Sequence, residues 1–251
     1  NYIIFDEDLS PGKTKNLQKL NKDIKLLDRP GVILEIFFRN AKSKESKTQV
    51  ELARLQYQLP RLTRLWTHLE RQMGGFGTRA GAGETQIEVD RRIIRKKISL
   101  LKKKLKSIDS ERRVQSKKRK SFFRASFVGY TNVGKSSLMK SVTKSDVLIR
   151  NQLFATLDTT VRRLYIGNNN HILLSDTVGF IRNLPDNLIA SFKSTLQEVV
   201  DSDLLLIVLD ANSKDLFNEI ETIKSVLKEI HADQIDYQYV FNKIDLVDQD
   251  K

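Results

Sequence analysis

The chain of 251 residues has no cysteine, which excludes disulfide bridges and thiolate metal sites and fits a reducing compartment. It has only three histidines, His68, His171 and His231, too scattered to suggest a metal cluster. Few of the four prolines and eleven glycines fall inside periodic segments. No apolar run comes near the ~18 residues that a membrane span requires. What remains is 39% hydrophobic and 30% charged, a composition that expects a cytoplasmic chain long enough for two domains.

Acidic residues are scarce in the first half. Residues 1–124 carry 31 Lys and Arg against 14 Asp and Glu, a net of +17, whereas residues 125–251 carry 13 against 17, a net of −4. The two halves sum to the overall +13. Such asymmetry argues for a polyanionic partner of the first half and says nothing of its fold.

Gly129-Tyr130-Thr131-Asn132-Val133-Gly134-Lys135-Ser136 fits the pattern G-x-x-x-x-G-K-[ST]. An apolar run, Ala125 to Val128, precedes it, and a helix-like run from Ser137 through Leu138, Met139 and Lys140 follows. The glycines let successive N–H groups turn inward around a β-phosphate, to which the helix adds its positive end. Lys135 is expected to neutralise the β- and γ-phosphates and Ser136 to ligate Mg²⁺ through its hydroxyl. Asn132 is a candidate ligand for K⁺ beside the phosphates, or else simply a turn residue.

Two later motifs point to the base and the metal. Asn242-Lys243-Ile244-Asp245 follows the apolar run Tyr237 to Phe241 and lies 107 residues after the P-loop lysine (242 − 135). Asp245 can accept both donors of a guanine edge and Asn242 can meet its N7/O6 side, which disfavours adenine. Asp176-Thr177-Val178-Gly179 follows the strand-like His171 to Ser175. Asp176 is placed to hold the Mg²⁺ shell through water, and the Gly179 N–H to meet the γ-phosphate. The combination implies GTP with Mg²⁺.

The basic half carries two heptad seams. Leu52, Leu55, Leu59, Leu62, Trp66, Leu69 and Met73 alternate spacings of three and four; so do Ile87, Ile94, Ile98, Leu101, Leu105 and Ile108 once the polar interruption at Arg91 is passed over. Between them runs the glycine-rich Gly74 to Gly83, so the expectation is an antiparallel coiled-coil hairpin over 45–114 with its tip at 74–83. Pro60 is expected to kink the first helix. Arg91, Arg92, Arg95, Lys96, Lys97, Lys102, Lys103, Lys104 and Lys106 lie off the apolar seam with few anions among them, a face suited to phosphates. Phe76 and Arg79 stand in the tip, and residues 115–124 form a basic linker.

Residues 1–44 read as a small α/β unit: strand Tyr2 to Phe5, helix Pro11 to Leu20, strand Ile24 to Leu27, then a helix over Val32 to Phe38 capped by Asp28. Residues 125–251 read as the nucleotide-binding domain. The first residue is Asn1 and the chain stops six residues after Asp245 (251 − 245), so both end domains are expected to be incomplete. The fold class is α/β: a Ras-like P-loop domain, preceded by the small α/β unit with its coiled-coil hairpin.

Several blocks resemble the HflX GTPases: Gln49 to Leu62, the tip Gly74 to Gly83, Glu84 to Arg92, Leu153 to Asp158 and Asp176 to Arg182. The resemblance covers essentially the whole chain. It implies a ribosome-stimulated GTPase that binds the large ribosomal subunit, with arm and tip on ribosomal RNA, and that splits stalled ribosomes. It also places switch I at Phe154-Ala155-Thr156-Leu157-Asp158, with Thr156 on Mg²⁺ and the γ-phosphate; on the residues alone, Thr159 and Thr160 stay open. The tip departs from the family, having Arg79-Ala-Gly-Ala-Gly-Glu84 where Arg-Gly-Pro-Gly-Glu is usual. Phe180 stands after Gly179, where many GTPases carry a glutamine, so slow intrinsic turnover is expected. A monomer is expected in solution. The alternative partner for the basic arm is a protein or an anionic membrane surface, with the GTPase acting as a regulatory switch.

Overall fold

A computed structural model of the chain describes residues 2–20, 24–62, 86–117, 122–143, 157–167, 170–180 and 196–247. These divide into two compact units, one formed by Asn1–Phe38 with Lys47–Ile108, the other by Arg39–Ser46 with Asp109–Lys251.

In the first unit, β1 (Tyr2–Ile4) pairs in parallel with β2 (Lys25–Leu27), and α1 (Pro11–Leu20) connects them. The expected cap on the next helix is present. Asp28 Oδ1 accepts the Gly31 N–H at 3.0 Å, and α2 runs Arg29–Asn40 with Pro30 in its first turn. The same carboxylate gathers groups from far along the chain. It accepts the Leu9 N–H at 3.2 Å, the Tyr57 hydroxyl at 2.5 Å and the Arg61 guanidinium at 3.0 Å. Burial and the bond to Asp28 both push the Tyr57 hydroxyl well above the usual tyrosine range. Asp28 is thus cap, acceptor and counter-ion at once.

Helix α3 (Lys44–Gln58) carries the first seam, and α4 (Gln86–Lys117) carries the second. The two seams meet: Leu52, Leu55 and Leu62 cluster with Ile94 and Leu101, flanked by Leu59, Ile98 and Leu105. Fully burying an aliphatic side chain stabilises by about 1.5–3 kcal/mol at most, and this strip supplies such an apolar contribution to joining α3 and α4. Pro60 does more than kink the first helix. The α-helix stops at Gln58 and a 3₁₀ turn, Leu59–Arg61, replaces it, because a proline ring cannot follow a continuous i→i−4 ladder. Trp66, Leu69, Met73 and the glycine-rich tip lie outside the described residues.

In the second unit, five strands form one sheet in the order β4-β5-β3-β6-β7: β3 (Phe123–Val128), β4 (Thr160–Gly167), β5 (Asn170–Asp176), β6 (Leu204–Asp210) and β7 (Tyr237–Asn242). Among the described residues only β4–β5 is antiparallel; the other pairings of this sheet are parallel. Strand β6 is a continuous apolar run from Leu204 to Leu209, as a strand covered on both faces must be, and β3 is buried from Ala125 to Val128. Val128, Leu205, Val208 and Leu209 are fully buried, and around them pack Met139 from α5 (Lys135–Thr143), Val199 from the single turn α6 (Gln197–Val200), and Ile223 and Leu227 from α7 (Leu216–Glu229). Parallel strands aim their C-terminal ends at one edge, where ligands bind in open α/β sheets. No helix among the described residues is long and apolar enough to cross a membrane.

Candidate functional site

The site is assembled where β3, β5 and β7 end. The turn after β3 needs backbone geometry that side chains resist. Gly129 has φ +146° and Gly134 φ +99°, while Asn132, at φ 63°, takes the left-handed conformation that asparagine tolerates. A methyl group on Gly129 would stand 2.3 Å from the Val208 carbonyl oxygen, and one on Gly134 2.1 Å from Asn242 Nδ2. Glycine is required at both places. Tyr130 and Val133 are buried and support the loop from below, while Ser137 is exposed on the first turn of α5.

Lys135 opens α5 and is buried. Its ammonium donates to the Gly129 carbonyl at 3.0 Å and the Tyr130 carbonyl at 2.7 Å. Two of three donors are thereby fixed, and the third can address a phosphate oxygen. Burial lowers its pKa to about 8, against a smaller opposing pull from Asp176. A phosphate arriving beside it favours the charged form further and is strengthened by the low-dielectric setting.

Asp176 ends β5, almost wholly buried, and its Oδ2 accepts the Ser136 hydroxyl at 2.6 Å. One hydroxyl and one carboxylate side by side form a hard oxygen pair of the kind Mg²⁺ takes beside phosphates, so these residues fit that ion. Thr177 is tied to the Phe127 carbonyl at 2.6 Å, and Val178 is buried. A methyl group on Gly179 would lie 2.8 Å from the Thr131 nitrogen and 2.9 Å from Lys135 Nζ, so the chain passes as close to the P-loop as a glycine permits. Phe180 fastens this approach. Its carbonyl accepts the Thr131 N–H at 2.8 Å and its N–H donates to the Gly129 carbonyl at 3.0 Å. The ring is buried in the core with Leu196 and Val199, which is why phenylalanine suits a position that offers water no hydrogen bond.

From the other side, Asn242 Nδ2 donates to the Val133 carbonyl at 2.8 Å and so joins the base-reading motif to the phosphate loop. Lys243 adopts φ 58° and its ammonium pairs with Asp210 at 2.7 Å, which fixes the turn into the 3₁₀ element Ile244–Leu246. Ile244 and Asp245 are exposed, so the burial that sharpens guanine recognition does not come from the described protein packing around Asp245. Phe154, Ala155 and Thr156 lie outside the described residues. Leu157 is buried, and Asp158, expected at the nucleotide, accepts the backbone N–H groups of Lys42 and Ser43 at 3.0 and 3.1 Å. Neither this contact nor the Asp210–Lys243 pair has a local sequence signal, because both join residues far apart in the chain.

With this geometry in hand, three family models match: one described as GTP-binding GTPase N-terminal over 1–38, one as GTP-binding GTPase Middle Region over 40–119, and one as 50S ribosome-binding GTPase over 124–243. GTPase HflX of Flavobacterium psychrophilum is 53% identical across 97% of this chain and 58% of its own length. GTPase HflX of Escherichia coli is 45% identical across 98% and 58%. A crystal structure of a protein called SsGBP in complex with GDP superposes with a TM-score of 0.58 at 31% identity, covering 99% of this chain and 67% of that one. The chain spans a little under three-fifths of the length of those two curated relatives.

Proposed function

The chain belongs to the HflX family of GTPases, and from that premise we propose that it binds GTP with Mg²⁺ and hydrolyses it to GDP and phosphate. The observation that carries the reading is the single junction of three motifs. Lys135 and Ser136 meet Asp176 and Gly179 on one side, and Asn242 reaches the Val133 carbonyl on the other. In this reading Lys135 and the Gly179 N–H neutralise and position the γ-phosphate. Ser136 and Thr156 ligate Mg²⁺, which supplies charge neutralisation, and Asp176 acts through water. The buried Phe180 ring leaves the attacking water to another group, so turnover is slow until a partner supplies or orders one. For Asn132 the left-handed turn is a sufficient reason for asparagine, and K⁺ binding is not needed to explain it.

The partner we propose is the large ribosomal subunit. It is supported by the family model described as a 50S ribosome-binding GTPase and by the exposed basic residues of α4, among them Arg91, Arg95, Lys96, Lys102, Lys103 and Lys104. The hairpin 45–114 is the arm, its phosphate contacts set affinity, and the tip 74–83 reads the shape of the RNA. Splitting or rescue of stalled ribosomes is the physiological act this implies.

The base assignment has a direct check. Asp245→Asn replaces an acceptor by a group that also donates, and GTP affinity should fall by at least about 2 kcal/mol while xanthosine triphosphate gains. The ratio of the two dissociation constants, taken by fluorescence titration, is the quantity to measure. An unchanged ratio would remove Asp245 from the guanine site.

A further inference from the structure

We infer that the Thr131 hydroxyl orients the water that attacks the γ-phosphate, the role for which Phe180 offers no group. Backbone bonds hold Thr131 against the Asp176–Gly179 motif. The Phe180 carbonyl accepts the Thr131 N–H at 2.8 Å, the Phe180 N–H donates to the Gly129 carbonyl at 3.0 Å, and Tyr130 and Phe180 form a parallel bridge. A methyl group on Gly179 would lie 2.7 Å from the Thr131 Cα and 2.9 Å from Lys135 Nζ. In the GTPase reading, on which this inference rests, the γ-phosphate lies between the Gly179 N–H and the Lys135 ammonium. Thr131 is then its next neighbour on the P-loop. Of the side chains between Gly129 and Gly134, Tyr130 and Val133 are buried and Asn132 is exposed, while Thr131 is half-buried beside Gly179.

The other hydroxyls around this point are committed. Ser136 donates to Asp176, Thr177 donates to the Phe127 carbonyl, and the Tyr130 hydroxyl is buried on a ring that packs in the core. Among the described residues the Thr131 hydroxyl has no hydrogen-bond partner. A hydroxyl both accepts and donates. Here it accepts one O–H of the water and donates to a γ-phosphate oxygen, which turns a lone pair of the water towards phosphorus. The water oxygen then bonds to the γ-phosphorus as the bond from that phosphorus to the β–γ bridging oxygen breaks. The bond's electron pair leaves on the β-phosphate of GDP, and the water's other proton passes to a γ-phosphate oxygen. Threonine neither gains nor loses a proton. One hydroxyl on a rotatable bond holds water less firmly than a planar amide, which agrees with slow turnover in the absence of a partner.

Single-turnover GTP hydrolysis by the full chain is compared in wild type, Thr131→Val, which keeps the shape and removes the hydroxyl, and Thr131→Ser, which keeps the hydroxyl. The rate should fall about tenfold in Thr131→Val and stay within about threefold of wild type in Thr131→Ser, the scale of one hydrogen bond made in the transition state. Affinities for GDP and for a fluorescent non-hydrolysable GTP analogue should be unchanged in both variants. GDP with aluminium fluoride, which mimics the transferring phosphoryl group, should bind about tenfold more weakly to Thr131→Val. Unchanged hydrolysis in Thr131→Val, or an equal loss in Thr131→Ser, would overturn the proposal. So would a matching loss of affinity for the GTP analogue, which would make Thr131 a support of the loop. A wild type that binds GTP and releases no phosphate would instead strike the GTPase reading.

Discussion

Gly134→Ala should reduce GTP affinity by about a hundredfold, the equivalent of about 3 kcal/mol. Two effects add at this position. The backbone sits at φ +99°, where a side chain costs about 1–3 kcal/mol in strain. The new methyl group would also stand 2.1 Å from Asn242 Nδ2, so the bond from Asn242 to the Val133 carbonyl must break or the loop must shift. Losing that bond costs about another 1 kcal/mol and separates the base-reading strand from the phosphate loop. Titration with a fluorescent GTP analogue measures the effect, and a melting curve shows whether the variant remains folded. Wild-type affinity in a folded variant would mean that the Asn242 bridge and the loop geometry do not hold the nucleotide.

The second large effect concerns the other unit and its stability. Asp28→Ala withdraws the acceptor from the Leu9 and Gly31 N–H groups and the Tyr57 hydroxyl, and leaves the Arg61 guanidinium, 14% exposed, without its counter-ion. Removing one partner of a buried ion pair destabilises by about 3–5 kcal/mol, because the surviving charge stays desolvated. Arg61 retains its bonds to the Leu9 and Tyr57 carbonyls and its stacking on the Tyr57 ring, so the lower part of that range is expected. Gly31 cannot relieve the site by gaining a side chain, since a methyl group there would meet the Tyr57 hydroxyl at 3.0 Å. Denaturant unfolding followed by far-ultraviolet circular dichroism should show the nucleotide-insensitive transition moving to lower denaturant. A shift worth only the roughly 1 kcal/mol that losing a helix cap costs would mean that Asp28 serves as a cap alone.

These two sites differ in how readable they were. The P-loop announced itself because its chemistry is local: eight consecutive residues contain the glycines, the lysine and the serine, with a strand before and a helix after. Strands β5 and β7 were legible for the same reason, as apolar runs that end in a motif. Helix α1 appears over Pro11–Leu20, the range read from sequence, and the spacing of the two seams anticipated the cluster of Leu52, Leu55, Leu62, Ile94 and Leu101. The capping role of Asp28 was equally visible. Its bonds to Tyr57 and Arg61 were not, since they depend on where α3 and the following turn lie in space. Asp158 is the sharper case. Its neighbours in sequence suggest a nucleotide ligand, while its oxygen contacts Lys42 and Ser43. Pro60 shows the limit of a local rule: the rule gave the position of the break, but the observed 3₁₀ turn of Leu59–Arg61 also places Arg61 on Asp28. Periodicity reports what a segment does with itself, whereas polar contacts between distant segments belong to the assembled fold.

Co-sedimentation with purified large ribosomal subunits at moderate salt tests the central claim most directly. Wild type should pellet with the subunits in the presence of a non-hydrolysable GTP analogue and less so with GDP. Changing Lys102, Lys103, Lys104 and Lys106 together to glutamine should weaken that association and flatten its dependence on salt, as fewer counterions are released, while GTP affinity remains. Pelleting of this variant as tightly as wild type, or association indifferent to the nucleotide, would contradict a GTP-driven, RNA-docking arm and leave the regulatory-switch reading in its place.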